Sequence, residues 1–216
     1  MSIDAPLDLA ALPPGFAARV NWSSAAETSL IELKELLAAA NKEANLVGAS
    51  TLESFWTRHV IDSAQLRWVS PQTRIWADIG SGAGFPGLVL GILLKDAPGA
   101  HVHLIESMSK RCRFLRTVVE RLNLPCTVHE ARAEALDLNV EMVTARACAP
   151  LVRLLGFVQP YFRLGAGGLF LKSLGVEEEI AAARRVWRFD VEIRESLSDR
   201  RGRVLSIRKL ARAAKS

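Results

Sequence analysis

A chain of 216 residues, 50% of them hydrophobic, can bury a substantial core and is too apolar for global disorder. Its 28 Lys and Arg exceed the 23 Asp and Glu, and the net charge of +5 permits an anionic partner without identifying one. No apolar stretch reaches membrane-spanning length, which excludes a helical membrane protein.

Asp4 and Asp8 interrupt the basic-then-apolar order of a secretory leader. Cys112, Cys126 and Cys148 match neither a disulfide framework nor a zinc pattern. The expectation is a cytoplasmic protein without a metal.

Residues 1 to 26 hold three prolines and read as an irregular arm with room for one short helix. From Glu27 to Asn41, Leu30, Leu33, Leu36, Leu37 and Ala40 recur at helical spacing. Asn45-Leu46-Val47-Gly48 breaks that pattern, and Thr51 with Glu53-Ser54 can cap a second helix. This helix carries Phe55, Val60 and Ile61 inward and ends before Ser70-Pro71. The division is therefore 1–70, an arm and helical extension, and 71–216, a sheet domain.

Strands are then expected at 74–79, 101–106, 125–129, 141–145 and 167–172. Between them lie helices at 87–95, 109–123, 132–137 (short) and 150–163. Such alternation favours a mainly parallel sheet covered on both faces. Arg185 to Arg194 and Arg203 to Leu210 read instead as an antiparallel hairpin around Ser198-Asp199-Arg200-Arg201-Gly202. The expected fold is α/β and Rossmann-like, that of an S-adenosylmethionine-dependent methyltransferase. Its mainly parallel seven-stranded sheet ends in the hairpin and is preceded by the helical extension. A dehydrogenase would more naturally continue into a second βαβαβ half.

The stretch Ile75 to Gly87, IWADIGSGAGFPG, carries the most chemistry. An apolar strand ends in Asp78, and Gly80, Gly82 and Gly84 form a turn before a helix, where open α/β sheets bind ligands. A nucleoside cofactor, most simply S-adenosylmethionine, fits that arrangement; tight strand-to-helix packing is the competing reading. Asp78 either fixes the turn or the cofactor's amino-acid portion, or is an ordinary capping residue. Phe85 either borders the base or the methionine moiety, or is buried in the loop. Glu106, ending the second strand, is placed to accept both ribose hydroxyls, unless it is a solvent-facing loop acid. Ala133 and Glu134 follow the third strand and can offer backbone groups to adenine; a capping or surface role for Glu134 competes.

The helix from Ser109 buries Phe114, Leu115, Val118, Val119 and Leu122 and turns Lys110, Arg111, Arg113 and Arg116 outward. Cations at its positive end conflict with the dipole, which points to a counter-anion such as RNA phosphate or else to a solvated charged face. Arg58-His59, Arg146 and Lys172 can lie on the same side, with Arg200, Arg201, Arg203 and terminal Arg208, Lys209, Arg212 and Lys215 extending the patch. Gly-x-x-x-x-Gly-Lys-Ser/Thr is absent, and no His with an acidic orienter sits in a strand-end loop.

These segments together resemble the bacterial small-subunit ribosomal RNA guanine-N7 methyltransferases, historically called glucose-inhibited division protein B. The resemblance runs over residues 30 to 210, through Asn41-x3-Asn45-Leu46, Arg58-His59-x2-Asp62-Ser63 and the glycine turn with Phe85-Pro86-Gly87. Lys110-Arg111-x2-Phe114-Leu115, Arg132-Ala133-Glu134, Arg146-Ala147 and Leu171-Lys172 complete it in order. It implies methyl transfer from S-adenosylmethionine to N7 of one guanine in the decoding-region loop of 16S ribosomal RNA, in naked RNA or an assembled small subunit. Asp78, Gly80, Gly82, Gly84, Phe85, Glu106, Ala133, Glu134 and Arg146 are the expected cofactor-site residues. Arg146 and Lys172 are expected at the reacting centre, and Arg58, His59, Lys110, Arg111, Arg113 and Lys172 against the RNA. Two positions depart from the family pattern: Glu106 stands where Asp is frequent, and Val47 where Thr is common. A monomer suffices for one pocket. The alternatives are a methyltransferase for another RNA position or a small molecule, and a non-enzymatic RNA-binding module.

Overall fold

The computed structural model describes residues 9–48 and 52–213, so Thr51 and Lys215 lie outside the described residues. Helix α1 spans Phe16–Val20 and α2 spans Ser24–Ala44, longer at both ends than the leucine periodicity alone delimits. The Ser23 side chain accepts from the Ala26 N–H, and Asn45 closes the other end in the left-handed conformation. Leu30, Leu33 and Leu37 are fully buried along one stripe. A π-helical segment, Phe55–Ile61, runs directly into α3, Asp62–Val69.

The sheet begins with β1 (Ile75–Ile79), followed by α4 (Gly87–Leu93), β2 (His101–Glu106), α5 (Ser109–Leu122) and β3 (Cys126–Glu130). A short 3-10 turn at Ala133–Ala135 replaces the expected helix, and β4 (Met142–Arg146), α6 (Leu151–Arg163) and β5 (Gly167–Lys172) follow. Helix α7 (Val176–Arg184) was not anticipated. Its signals are Gly175 in the left-handed conformation, Glu177, Glu178 and Glu179 in the first turn, and a buried stripe of Val176, Ile180 and Ala183. The hairpin is β6 (Trp187–Glu195) and β7 (Arg203–Arg212).

All seven strands form one sheet in the order β3-β2-β1-β4-β5-β7-β6. The first five are parallel, and β7 enters antiparallel between β5 and β6. After β3 the chain returns to the other side of β1, so β1 and β4 are neighbours whose following loops diverge. Their carboxyl ends are where an open sheet of this kind binds its ligand.

Two apolar clusters flank the sheet. One joins α4 and α5 to Phe16, Val20, Leu30, Leu33, Leu37 and Phe55 of the extension, so the extension and that sheet face share a core. The other packs α6 and α7 on the opposite face around Tyr161, Phe170 and Leu205. Replacing Leu33 by Ala is expected to cost about 2–4 kcal/mol, as for other fully buried leucines. Urea denaturation followed by far-UV ellipticity and by tryptophan fluorescence, to which buried Trp76 contributes, should show both transitions shifting together; a shift confined to one probe would contradict the shared core.

Candidate active site

The turn after β1 is tied to β2, because the Gly80 and Ser81 N–H groups both donate to the Ile105 carbonyl, at 2.9 and 3.0 Å. Asp78 lies beneath it, fully buried. Its Oδ2 accepts from the Gly87 N–H at 3.0 Å, capping α4, while Oδ1 has no partner. Burial pushes the Asp78 carboxyl up to about 7, against the lowering effect of the Gly87 bond. Asp78 thus fixes the turn from inside the protein.

The glycines divide by role. A Cβ on Gly84, at φ +96°, would stand 2.1 Å from Leu88 Cδ1, and one on Gly87 would stand 2.2 Å from Leu104 Cδ2; Gly84 thus keeps the turn close to α4, and Gly87 keeps α4 close to β2. A Cβ on Gly82, at φ +58°, would meet only the Gly80 carbonyl at 3.8 Å, so the space above it is open. A Cβ on Gly80 would fall 2.7 Å from Cys148 Sγ, which brings the loop after β4 against the same turn. Packing and cofactor approach therefore both apply, at different glycines.

Glu106 is buried at the end of β2 and is not a solvent-facing acid. Its Oε2 accepts from Gly82 N–H at 3.0 Å and its Oε1 from Met108 N–H at 2.9 Å, with Arg111 Nη1 3.5 Å from Oε2. Each carboxylate oxygen keeps a second acceptor site, so a diol can still be received. Ala133 is buried and its carbonyl accepts from Tyr161 Oη at 2.8 Å and from Leu136 N–H at 3.2 Å, while Glu134 is exposed. With that carbonyl engaged, N–H groups are what the segment can offer to a ring edge.

At the start of α5, Lys110 and Arg113 are exposed and Arg111 leans on Glu106. The conflict with the helix dipole is answered by protein carboxylates. Ser109 donates to Glu130, Arg116 pairs with Glu130 at 3.0 Å, and Glu106 takes the Met108 N–H.

Arg146 is the last residue of β4 and its guanidinium lies 5.2 Å over the Phe85 ring. Nη1 donates to the Arg58 carbonyl at 2.5 Å and reaches Asp62 Oδ2 at 3.5 Å; Nη2 donates to His59 Nδ1 at 2.8 Å. An arginine only donates, so His59 Nδ1 accepts and the imidazole is neutral with its proton on Nε2, a buried atom without a partner. Burial, reinforced by Arg146 and Arg58, pushes His59 down to about 3. Phe85 is buried, stacked on His59 at 4.3 Å and set edge-on to Phe55 at 6.1 Å. His59 is therefore a buried support beneath Arg146, whereas Arg58 is exposed. Lys172 Nζ bonds the Ala149 carbonyl at 2.9 Å and Glu179 at 2.8 Å, and Glu179 also accepts from Leu151 N–H, so Lys172 holds the β4–α6 loop.

Asp62 and Ser198 stand in segments the sequence marks out, but their roles, and Gln65 altogether, are not legible there. Asp62 Oδ1 accepts from Ser198 Oγ at 2.8 Å and Gln65 Nε2 at 2.9 Å, joining the hairpin loop to α3. The readable signal was the spacing of His59 and Asp62, which places both on one helical face.

A glycine turn at the strand-order reversal, an acid ending β2, and an antiparallel β7 inserted beside β5 define a Rossmann-like methyltransferase. A methyltransferase described as S-adenosylmethionine-dependent, from Aquifex aeolicus, shares this fold with a TM-score of 0.54 at 15% identity, over 71% of this chain and 92% of its own. The family model for rRNA small subunit methyltransferase G matches residues 26–205. A "Ribosomal RNA small subunit methyltransferase G" of Caulobacter vibrioides is 53% identical over 92% of each chain; one of Parvibaculum lavamentivorans is 44% identical over 90% of this chain and 88% of its own. The chain belongs to this family of ribosomal RNA methyltransferases, whose methyl donor is S-adenosylmethionine. Gly82 with open space above it and Glu106 with acceptor capacity to spare both fit that donor.

Gly82→Ala should weaken S-adenosylmethionine binding at least tenfold in calorimetric titration with a loss of only about 1 kcal/mol in stability from the left-handed backbone. Gly84→Ala should lower stability by more than about 2 kcal/mol, because Leu88 must be displaced; the reverse ranking would refute the division. For Asp78, the unfolded chain releases its proton near pH 4 and the folded chain near 7, so ionisation opposes folding and stability falls as pH rises across that window. Denaturation of Asp78→Asn should lack this decline, on the order of a few kcal/mol; equal slopes in both proteins would exclude a raised carboxyl.

Proposed function

We propose that this chain methylates N7 of a guanine in the decoding-region loop of 16S ribosomal RNA, as a cytoplasmic monomer. The observation that carries the reading is Arg146, held over Phe85 of the glycine turn, which sets a guanidinium beside the turn where the donor would bind. When bound, S-adenosylmethionine supplies an electrophilic methyl on sulfonium. Glu106 would take its ribose, the Gly80–Gly82 backbone its amino-acid end, and the Ala133–Glu134 N–H groups its adenine.

Guanine N7 carries an in-plane lone pair and no proton, so no side chain has to remove one. The neutral His59 fits this requirement: it orients Arg146 instead of exchanging a proton. Nε and one Nη2 hydrogen of Arg146 have no partner among the described residues and would grip the guanine O6 or a phosphate. A phosphate is electrostatically safer, since the methylated purine becomes cationic. Exposed Arg58, Lys110 and Arg113 would carry the RNA backbone, and Lys172 would act by fixing the loop that follows Arg146.

Methyl incorporation into 16S RNA, intact small subunits and free guanosine, with mass-spectrometric mapping, tests the assignment. N7-methylguanine in one of the RNA substrates is expected, and none in any of them would defeat it. RNA affinity should fall as salt rises. Arg146→Ala should lower transfer at limiting RNA by about 100-fold or more while donor binding persists, as for loss of a positioning group; unchanged transfer would remove Arg146 from the site.

A further inference from the structure

We infer that Asp62 is a positioning residue for Arg146, and that Ser198 of the β6–β7 loop sets the Asp62 carboxylate for that task. This rests on the reading of Arg146 as a group that touches substrate.

Among the described residues, Asp62 is the one carboxylate within salt-bridge distance of Arg146. It reaches Nη1, the nitrogen that also donates to the Arg58 carbonyl, so that end of the guanidinium is anchored. The contact is long, 3.5 Å, and small rotations of the carboxylate decide whether it persists. What restrains the rotation is the opposite oxygen. Oδ1 receives Ser198 Oγ from the hairpin loop and Gln65 Nε2 from the next turn of α3.

The loop has other attachments to α3, namely Gln65 Nε2 to Ser196 Oγ at 3.0 Å and Leu197 N–H to Gln65 Oε1 at 2.9 Å. Those suffice to hold it in place. The Ser198 bond adds an orientation of Asp62 that the staple itself does not need. Arg200 and Arg201, exposed immediately beyond Ser198, are where an RNA backbone would meet this loop. Seating of RNA on the loop and placement of Arg146 thereby pass through the same two side chains.

The test uses the full chain with 16S RNA or small subunits. Asp62→Asn keeps an oxygen for Ser198 and removes the charge facing Arg146. Transfer at saturating RNA and donor should fall at least tenfold, with the RNA KM changed less than threefold and the thermal midpoint nearly unaltered. Ser198→Ala should lose at least threefold in kcat, and Ser198→Thr, which retains the hydroxyl, should recover it. In an Arg146→Lys background, Asp62→Asn should have little further effect, whereas a purely structural role would lower the rate equally in both backgrounds. The inference is overturned by a wild-type rate in Asp62→Asn when Arg146→Ala is impaired, or by equal losses in the two backgrounds. If Arg146→Ala itself transfers normally, the reading of Arg146 falls and Asp62 has nothing to position.

Discussion

A guanidinium that is only 21% exposed must be answered from several directions, and much of the local architecture supplies the answers. Removing a cation from water costs several kcal/mol unless partners replace the lost hydration. One carbonyl, one neutral imidazole, one carboxylate and one aromatic face surround Arg146, and they come from two parts of the chain, residues 58–62 and Phe85. Arg58, His59 and Asp62 reach it together because the π-helical segment places them at the junction with α3. A wider turn of this kind re-aims side chains relative to an α-helix and is frequent at functional sites. The extension is thus bound to the crevice by polar demand as well as by the apolar core it shares with α4 and α5.

His59 shows how the electrostatics are ordered. A protonated imidazole beside Arg146 would set two cations against one carboxylate in a partly desolvated space. Burial and the adjacent guanidinium favour the neutral ring, and its flat face then stacks on Phe85. Asp62 carries the opposing balance. Burial raises its carboxyl while Arg146 and Ser198 lower it, and the net direction is upward. The pair is consequently not a surplus of stability; its physical effect is to restrict where the guanidinium can point.

The strand alternation, the glycine turn and the terminal hairpin were legible because each follows from local rules: apolar runs, turn residues and helix length. Glu106 was legible through its position at the end of β2. Less was available for contacts across the fold. Nothing in the periodicity reveals that Ser198 meets Asp62 across 136 residues of chain, or that Lys172 is bonded to Ala149 and Glu179. Helix α7 escaped because its buried stripe is short and an alanine-rich surface adds little contrast. At the basic start of α5 the partners could not be read for a related reason, since the carboxylates that meet Ser109, Arg116 and the Met108 N–H lie on β2 and β3, neighbours only after folding.

A reaction whose nucleophile arrives deprotonated relaxes one demand and tightens another. Proton-transfer catalysts need a side chain poised between two protonation states, which requires solvent contact and a value near the working pH. Here the groups around the opening are held away from that condition: a permanently charged arginine, a histidine that stays neutral, and a carboxylate fixed by two donors. What remains for the protein is geometry, and geometry is served by low freedom at each contact. The same consideration fits the proposed cofactor side, where backbone N–H groups and Glu106 would make the contacts. On the proposed reading, a guanine, its attacking nitrogen and the donor can be aligned by such a frame without a proton passing between its groups and the substrate.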